Sequence, residues 1–336
     1  MTFKPFEVCS GEKAFGRIKV VKNLAAEVYM PVGVINGEKE GPTFTVTGGL
    51  YPTEYCGVEA ASRLYRDLKP EELNGRLLVI PVVNMPVFQF RTAWMNLRSS
   101  ISPMDGKNIN NQFPGDPKGT ITSRIANKLF EIIKRSDYHV DFRGGDLPES
   151  HLTHTIFLRI NEGIDNNCEK MAKVFGLEYV LPGEPKIGHT SPGTLIYEAV
   201  NSGIPSIISE SGLGYRVQPL EEMIMNHVNG TRNLLRYVEM IKGTPEKPEK
   251  QRFLDMEWFG VNTSTAGIFH AHVDHGDLIE ENQTLGKITD LDGSTLEKLN
   301  SPIEGVVHTM YPRRLVFPGD RLLTLLKIGE PTGWSR

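Results

Sequence analysis

Leu77-Leu78-Val79-Ile80-Pro81-Val82-Val83 is an unbroken apolar run. A strand with one face in water alternates polar and apolar residues, whereas a continuous run suits a strand covered on both faces, as in a parallel sheet between helix layers. Residues 43–47 (TFTVT) read as a shorter strand of the same sheet, broken by Gly48-Gly49. Between the two, Val58, Ala61, Leu64 and Leu68 share one face of a helix over 57–68. Downstream, Ile125, Leu129, Ile132 and Ile133 predict a helix over 122–135, and a strand follows at 138–142. A helix over 166–175, a strand at 205–210 (PSIISE) and a helix over 220–241 repeat the rhythm. Strands alternating with helices predict an α/β fold with a mainly parallel mixed sheet and helices on both faces. Upstream, the β-branched residues of 17–21 and 28–34 mark the first forty residues as a β-hairpin region, with a turn at Asn36-Gly37.

Residues 243–252 (GTPEKPEKQR) carry no apolar periodicity and read as a linker, which divides the chain into an α/β domain over 1–242 and a second domain over 253–336. In the second domain His275-Gly276-Asp277-Leu278 and Pro318-Gly319-Asp320-Arg321-Leu322 each precede an apolar strand. This internal repeat resembles the small all-β barrel of biotinyl and lipoyl domains. The turn that would carry their modified lysine reads DLDGS over 290–294, so no carrier function is expected.

Of 336 residues, 39% are hydrophobic, enough for a large core, and 37 basic against 41 acidic groups leave a net charge of −4. Such a balance gives no general attraction to nucleic acid or to anionic membranes, and points to a small-molecule substrate or ligand. Three separated cysteines, Cys9, Cys56 and Cys168, make neither a metal cluster nor a disulfide framework, and Cys56 reads as a small buried hydrophobe. With no basic and apolar leader and no run of about 18 apolar residues, a cytoplasmic protein is expected. A homo-oligomer is left open.

Open α/β sheets bind ligands at the carboxyl ends of their strands, which directs attention to 48–54, 84 onward, 143–146 and 210–214. Four motifs stand at or near these places: Gly48-Gly49-Leu50-Tyr51-Pro52-Thr53-Glu54; Ser102-Pro103-Met104-Asp105-Gly106 running on to Asn110-Asn111-Gln112-Phe113-Pro114-Gly115; Asp141-Phe142-Arg143-Gly144-Gly145; and Gly203-Ile204-Pro205 through Glu210-Ser211-Gly212. In order and spacing they resemble the landmarks of the succinylglutamate desuccinylase/aspartoacylase family, a branch of the zinc carboxypeptidase-like fold, and with the barrel the resemblance spans roughly 40–330.

That resemblance implies a zinc-dependent hydrolase of N-acyl amino acids or related small amides, with Glu210 as the general base that deprotonates the attacking water. Of the family's metal ligands Glu54 is retained. Tyr51 and Arg143 stand where histidines are expected, and a protonated guanidinium has no lone pair to offer a metal. Asn110 matches the asparagine of the family's Asn-Arg carboxylate clamp, whereas Asn111 replaces its arginine; Lys107, Arg91 and Arg98 are the nearby cations that could substitute. Two alternatives follow from these departures: a metal-free ligand-binding pseudoenzyme, or a metal-independent enzyme in which Arg143 takes the place of zinc, with Tyr51 as a proton donor. A metal site rebuilt from His151, His154, Asp141 and Asp146 is a further candidate, although two histidines three apart on one strand would face opposite ways. His270, His272 and His275 form an H-x-H-x-x-H pattern in the second domain.

Overall fold

A computed structural model describes residues 3–22, 24, 26–91, 100–146, 149–160, 162–185, 188–214, 218–311 and 314–329. The chain opens with β1 (Lys13–Lys22) and β2 (Glu27–Asn36), an antiparallel pair. Next come β3 (Lys39–Thr47), α1 (Tyr55–Asp67), β4 (Asn74–Ile80) and the short α2 (Met85–Phe90). Then follow α3 (Ile121–Ile133), β5 (Tyr138–Arg143), β6 (Ser150–His151), β7 (His154–Leu158), α4 (Glu162–Phe175) and β8 (Tyr179–Gly183). The α/β part closes with α5 (Leu195–Asn201), β9 (Ser206–Glu210) and α6 (Glu221–Tyr237).

The sheet is mixed: β3 runs parallel to both β4 and β5, β5 parallel to β9, and β7 antiparallel to β9 but parallel to β8. Asn36-Gly37 turns the chain as expected, yet β4 lies between β2 and β3, so the strands flanking that turn do not pair with each other. The 77–83 run is only partly strand. Leu77, Leu78, Val79 and Ile80 are fully buried in β4, each stabilising the fold by roughly 1.5–3 kcal/mol. Pro81 has no N–H for the ladder, so the chain leaves the sheet there; Val83 N–H then bonds the Gly48 carbonyl.

Successive β4 residues feed two cores. Leu77 and Val79 pack with α1, α4 and α6, and Leu78 and Ile80 pack with α3, which is the two-faced burial that the apolar run predicts. None of the helices among the described residues is long and apolar enough to cross a membrane.

Beyond 243–251 the chain re-enters the same sheet. β10 (Arg252–Asn262) pairs in parallel with β8 through Arg252 and Phe253. The rest is β11 (Gly267–Ala271), β12 (Leu278–Ile279), β13 (Thr284–Thr289), β14 (Thr295–Asn300), β15 (Gly305–Met310), β16 (Leu315–Val316) and β17 (Arg321–Gly329). Strands β10, β17, β15 and β12 extend the large sheet, and β14-β13-β11-β16 form a separate four-stranded antiparallel sheet that shares a third core with them. β6 pairs with β15, so the C-terminal strands also meet the loop that follows β5.

Candidate active site

Parallel pairing of β3, β5 and β9 brings their carboxyl ends together: Thr47 lies opposite Asp141, and Arg143 opposite Glu210. The glycines after β5 allow the loops behind these ends to touch. A Cβ on Gly144 would sit 2.5 Å from the Ser211 carbonyl oxygen, and Gly145 holds φ +64°, the left-handed region. Gly144→Ala is therefore expected to cost about 1–3 kcal/mol in urea unfolding, because backbone cannot yield as a side chain does. An unchanged midpoint would show that the two loops can part freely.

Arg143 is 1% exposed. Its Nε donates to Asp141 Oδ2 at 2.5 Å, and its guanidinium lies 4.6 Å from the centre of the Tyr51 ring. Asp141 Oδ1 accepts the Thr47 hydroxyl at 2.6 Å; Thr47 Oγ1 accepts from His139 Nε2 at 3.0 Å, and His139 Nδ1 accepts the Ser206 hydroxyl at 2.6 Å. This chain of hydrogen bonds fixes Asp141, and Asp141 fixes Arg143. Burial is the main influence on the guanidinium and opposes its charge, yet Asp141, Glu54 and Tyr51 outweigh it and raise its pKa.

Glu54 caps the start of α1 through its backbone carbonyl, which accepts from the Gly57 amide, but its side chain makes no cap bond and its Oε2 is buried with no hydrogen-bond partner. Burial above all lifts its carboxyl well above the usual carboxylate range, with Arg143 opposing and Glu210 adding to the rise. The Tyr51 hydroxyl donates to Asn108 Oδ1 at 3.1 Å, and burial raises the phenol's pKa, so it stays neutral. The residues at the three positions that the resemblance assigns to zinc are thus a guanidinium, a neutral phenol and a single carboxyl. That donor set does not fit a zinc ion. The unpaired, buried Nη1 of Arg143 makes the same point, since it presents a donor where a metal requires an acceptor.

Glu210 is placed differently. Although 4% exposed, it lines a cavity of about 430 Å³ together with His151, Glu149, His154, Trp258 and His308. Burial, opposed by His151 and Arg143, lifts its carboxyl above the usual range. His151 stands between two acids, with Nε2 3.2 Å from Glu149 and Nδ1 4.0 Å from Glu210. Burial is the largest single influence on this imidazole and pulls its pKa down, but the Glu149 hydrogen bond and the charges of Glu210, Glu149 and Asp146 together raise it.

His151 and His154 do not lie on one strand. They belong to β6 and β7, and both rings pack against His308 of β15, with centroids 5.6 and 4.9 Å away, so the expectation of opposite faces fails. The contact is ring against ring, and no three His, Cys, Asp or Glu side chains among the described residues are arranged to hold a metal. Asp146 accepts the Thr53 hydroxyl, Asp141 serves Arg143, and Arg143 and Tyr51 do not line the cavity. Asn110 is buried and its Oδ1 accepts from the Leu195 amide at 3.3 Å; Asn111 and Lys107 are exposed and outside the cavity lining. Arg98 lies outside the described residues. His270 bonds Thr289, and His275 bonds Asp274 and Ser150, so the H-x-H-x-x-H pattern does not converge.

Glu149, Trp258, His308 and Arg321 were not singled out by sequence reasoning, though all four line the cavity. Nothing local marks them, because the last three come from the C-terminal strands. A larger hollow of about 800 Å³, around Leu278, Pro302 and Lys327, shares none of its lining with this cavity.

Two further buried imidazoles frame the site. His227 Nε2 donates to the Ser211 carbonyl at 2.9 Å, its Nδ1 accepts the Ser209 hydroxyl at 2.9 Å, and its ring stacks on Phe142 at 4.5 Å. Burial lowers both His139 and His227 to about 4. An unfolded histidine titrates near 6.5, so the unfolded chain binds more protons between pH 6.5 and 4 and stability falls as pH drops through that window. Each imidazole contributes about 3 kcal/mol that is present above pH 6.5 and lost by about pH 4. Glu54 and Glu210 act in the opposite sense, their contribution being lost as pH rises through their raised values. Urea unfolding of the native chain beside a His227→Gln variant isolates one imidazole's share. Parallel stability curves for the two proteins from pH 7 to 5 would contradict it.

The catalytic-domain model of the succinylglutamate desuccinylase/aspartoacylase family matches residues 40–238. The chain is 26% identical to the N-alpha-acetyl-L-2,4-diaminobutyric acid deacetylase of Halomonas elongata, over 98% of this chain and 95% of that protein. Among solved structures, the product-bound ectoine utilization protein EutE of Ruegeria pomeroyi superposes with a TM-score of 0.81 at 23% identity, covering 94% of this chain and 95% of its own. A succinylglutamate desuccinylase/aspartoacylase from Rhodobacter sphaeroides gives a TM-score of 0.79 at 26% identity, covering 95% and 96%. With a match over more than half its length and all four motifs in order on the same fold, the chain belongs to the succinylglutamate desuccinylase/aspartoacylase family.

Proposed function

We propose that the chain hydrolyses small N-acylated amines or amino acids by metal-independent acid–base chemistry at Glu210 and His151. One observation carries this reading: a buried carboxylate with a raised pKa opens on a substrate-sized cavity, 4.0 Å from an imidazole whose own pKa is raised by a hydrogen bond to a second carboxylate, Glu149. Raised carboxyls of this kind act as proton acceptors near neutral pH. Membership in a family of deacylases and desuccinylases supports amide substrates, and the deacetylase relative supports N-acetyl compounds among them.

In this mechanism Glu210 takes a proton from water as the water oxygen bonds to the amide carbonyl carbon. His151 gives its proton to the amide nitrogen, the C–N bond breaks, and a carboxylic acid and an amine leave. The proton on Glu210 then returns to His151, which restores both groups. Arg143 touches neither water nor substrate; paired with Asp141 beside Glu210 in the sheet, it supplies fixed positive charge that favours the ionised carboxylate.

The test is a panel of N-acetyl and N-succinyl amino acids, assayed with chelator and again with added Zn²⁺. Turnover that chelator leaves intact is the expected result. Turnover that appears only with one zinc per chain would overturn the metal-free mechanism, and no turnover in either arm would overturn the hydrolase. The sealing of Arg143 against Asp141 and Tyr51 favours one second reading, a metal-free binding protein. Its signature is ligand binding that survives chelator without turnover.

A further inference from the structure

The family's carboxylate-gripping arginine is replaced by Asn111, which is exposed and outside the cavity, yet the cavity is not without a guanidinium. Arg321, the first residue of β17, is the only arginine or lysine among the described residues that line it. No carboxylate pairs with it among those residues; its Nε reaches Asn262 Oδ1 at 3.4 Å, the far limit of a hydrogen bond. Across the same space stand Glu149 and Glu210, so the cavity carries a cation and two acids facing one volume.

The position of this guanidinium is built into the strand beside it. It lies over Gly260 of β10, where a Cβ would fall 2.8–2.9 Å from Nε, Cζ and Nη2, so that any side chain there would push the guanidinium aside. Glycine there lets the fork lie flat against the backbone. Along β17, Thr324 faces Thr309, and Thr309 pairs with His151. Three residues at about 3.3 Å each separate Arg321 from Thr324, so the guanidinium stem starts roughly 10 Å along the strand from the His151 level. The side chain reaches back along the strand, since the guanidinium lies over Gly260, which pairs with Thr324. Ile156, Leu181, Met256 and Trp258 supply apolar wall between the two ends.

We propose that Arg321 is the carboxylate anchor of this cavity, binding ligands that carry a carboxylate and an apolar or aromatic portion and turning their amide toward Glu210. The inference rests on the same cavity as the proposed hydrolase but concerns binding, not turnover. A guanidinium–carboxylate fork contributes charge-assisted hydrogen bonds that a neutral carboxamide cannot replace.

Isothermal titration of the full chain with N-acetyl-L-phenylalanine and with N-acetyl-L-phenylalaninamide tests it directly. The acid is expected to bind roughly 10- to 100-fold more tightly than the amide. Arg321→Gln and Gly260→Ala should each erase that preference, the first by removing the charge and the second by displacing it, while Arg321→Lys keeps part of it. Thermal melting of each variant checks the fold; the exposed position of Arg321 leads us to expect no change. Equal affinity for acid and amide, a preference that survives Arg321→Gln, or no binding of the acid at millimolar concentration overturns the assignment. A preference that follows Arg321 without any hydrolysis upholds it and rejects the hydrolase instead.

Discussion

Arg143→Met is expected to lower the unfolding free energy by about 3–5 kcal/mol, measured by urea denaturation at neutral pH. The reason is the stranded partner. Asp141 is 1% exposed, and with Arg143 gone it keeps only the Thr47 hydroxyl as compensation. Protonating or rehydrating that carboxylate costs more than the lost packing of the arginine stem. The double variant Arg143→Met/Asp141→Asn should recover much of the loss, because removing both charges is far cheaper than removing one. A single variant that loses less than about 1 kcal/mol would mean that Asp141 does not depend on Arg143 for its place at the end of β5.

Glu210→Gln is expected to lower turnover by about 10²- to 10⁴-fold while leaving the fold as stable as before or slightly more so. The amide keeps the shape of the carboxylate and gives up a charge that is costly to bury. Affinity for a carboxylate ligand should survive, since Arg321 is untouched. Steady-state kinetics beside thermal melting separate the two effects. A variant that retains turnover would remove Glu210 from the chemistry, and one that loses turnover together with melting temperature would mark it as structural.

Much of the fold was legible because its signals are local. The apolar run at 77–83 announced a strand buried on both faces, and Leu77 to Ile80 are at zero exposure. The helical spacing at 57–68 and 122–135 reappears as α1 and α3, because one apolar stripe per helix is what a sheet face can cover. The candidate site was legible in part for the same reason: Glu54, Arg143 and Glu210 end or follow strands, where chain direction alone places them on one edge. Lys107 and Asn111 show the limit of motif reading, since a place within a recognisable landmark did not bring them to the cavity.

What the sequence by itself determined is therefore the α/β order, the edge of the sheet that carries polar groups, and that Arg143 offers no lone pair to a metal wherever it points. Only the tertiary structure decided where the working groups meet. Strand β6 pairs with β15, and β10 joins β8, although paired residues such as Tyr179 and Arg252, or His151 and Thr309, are far apart in the chain. Those pairings set His151 against His308 and bring Trp258 and Arg321 to Glu210, a neighbourhood built from contacts too distant in sequence for any local pattern to encode. Side-chain periodicity specifies which face of an element is buried; it does not specify which remote strand will cover it.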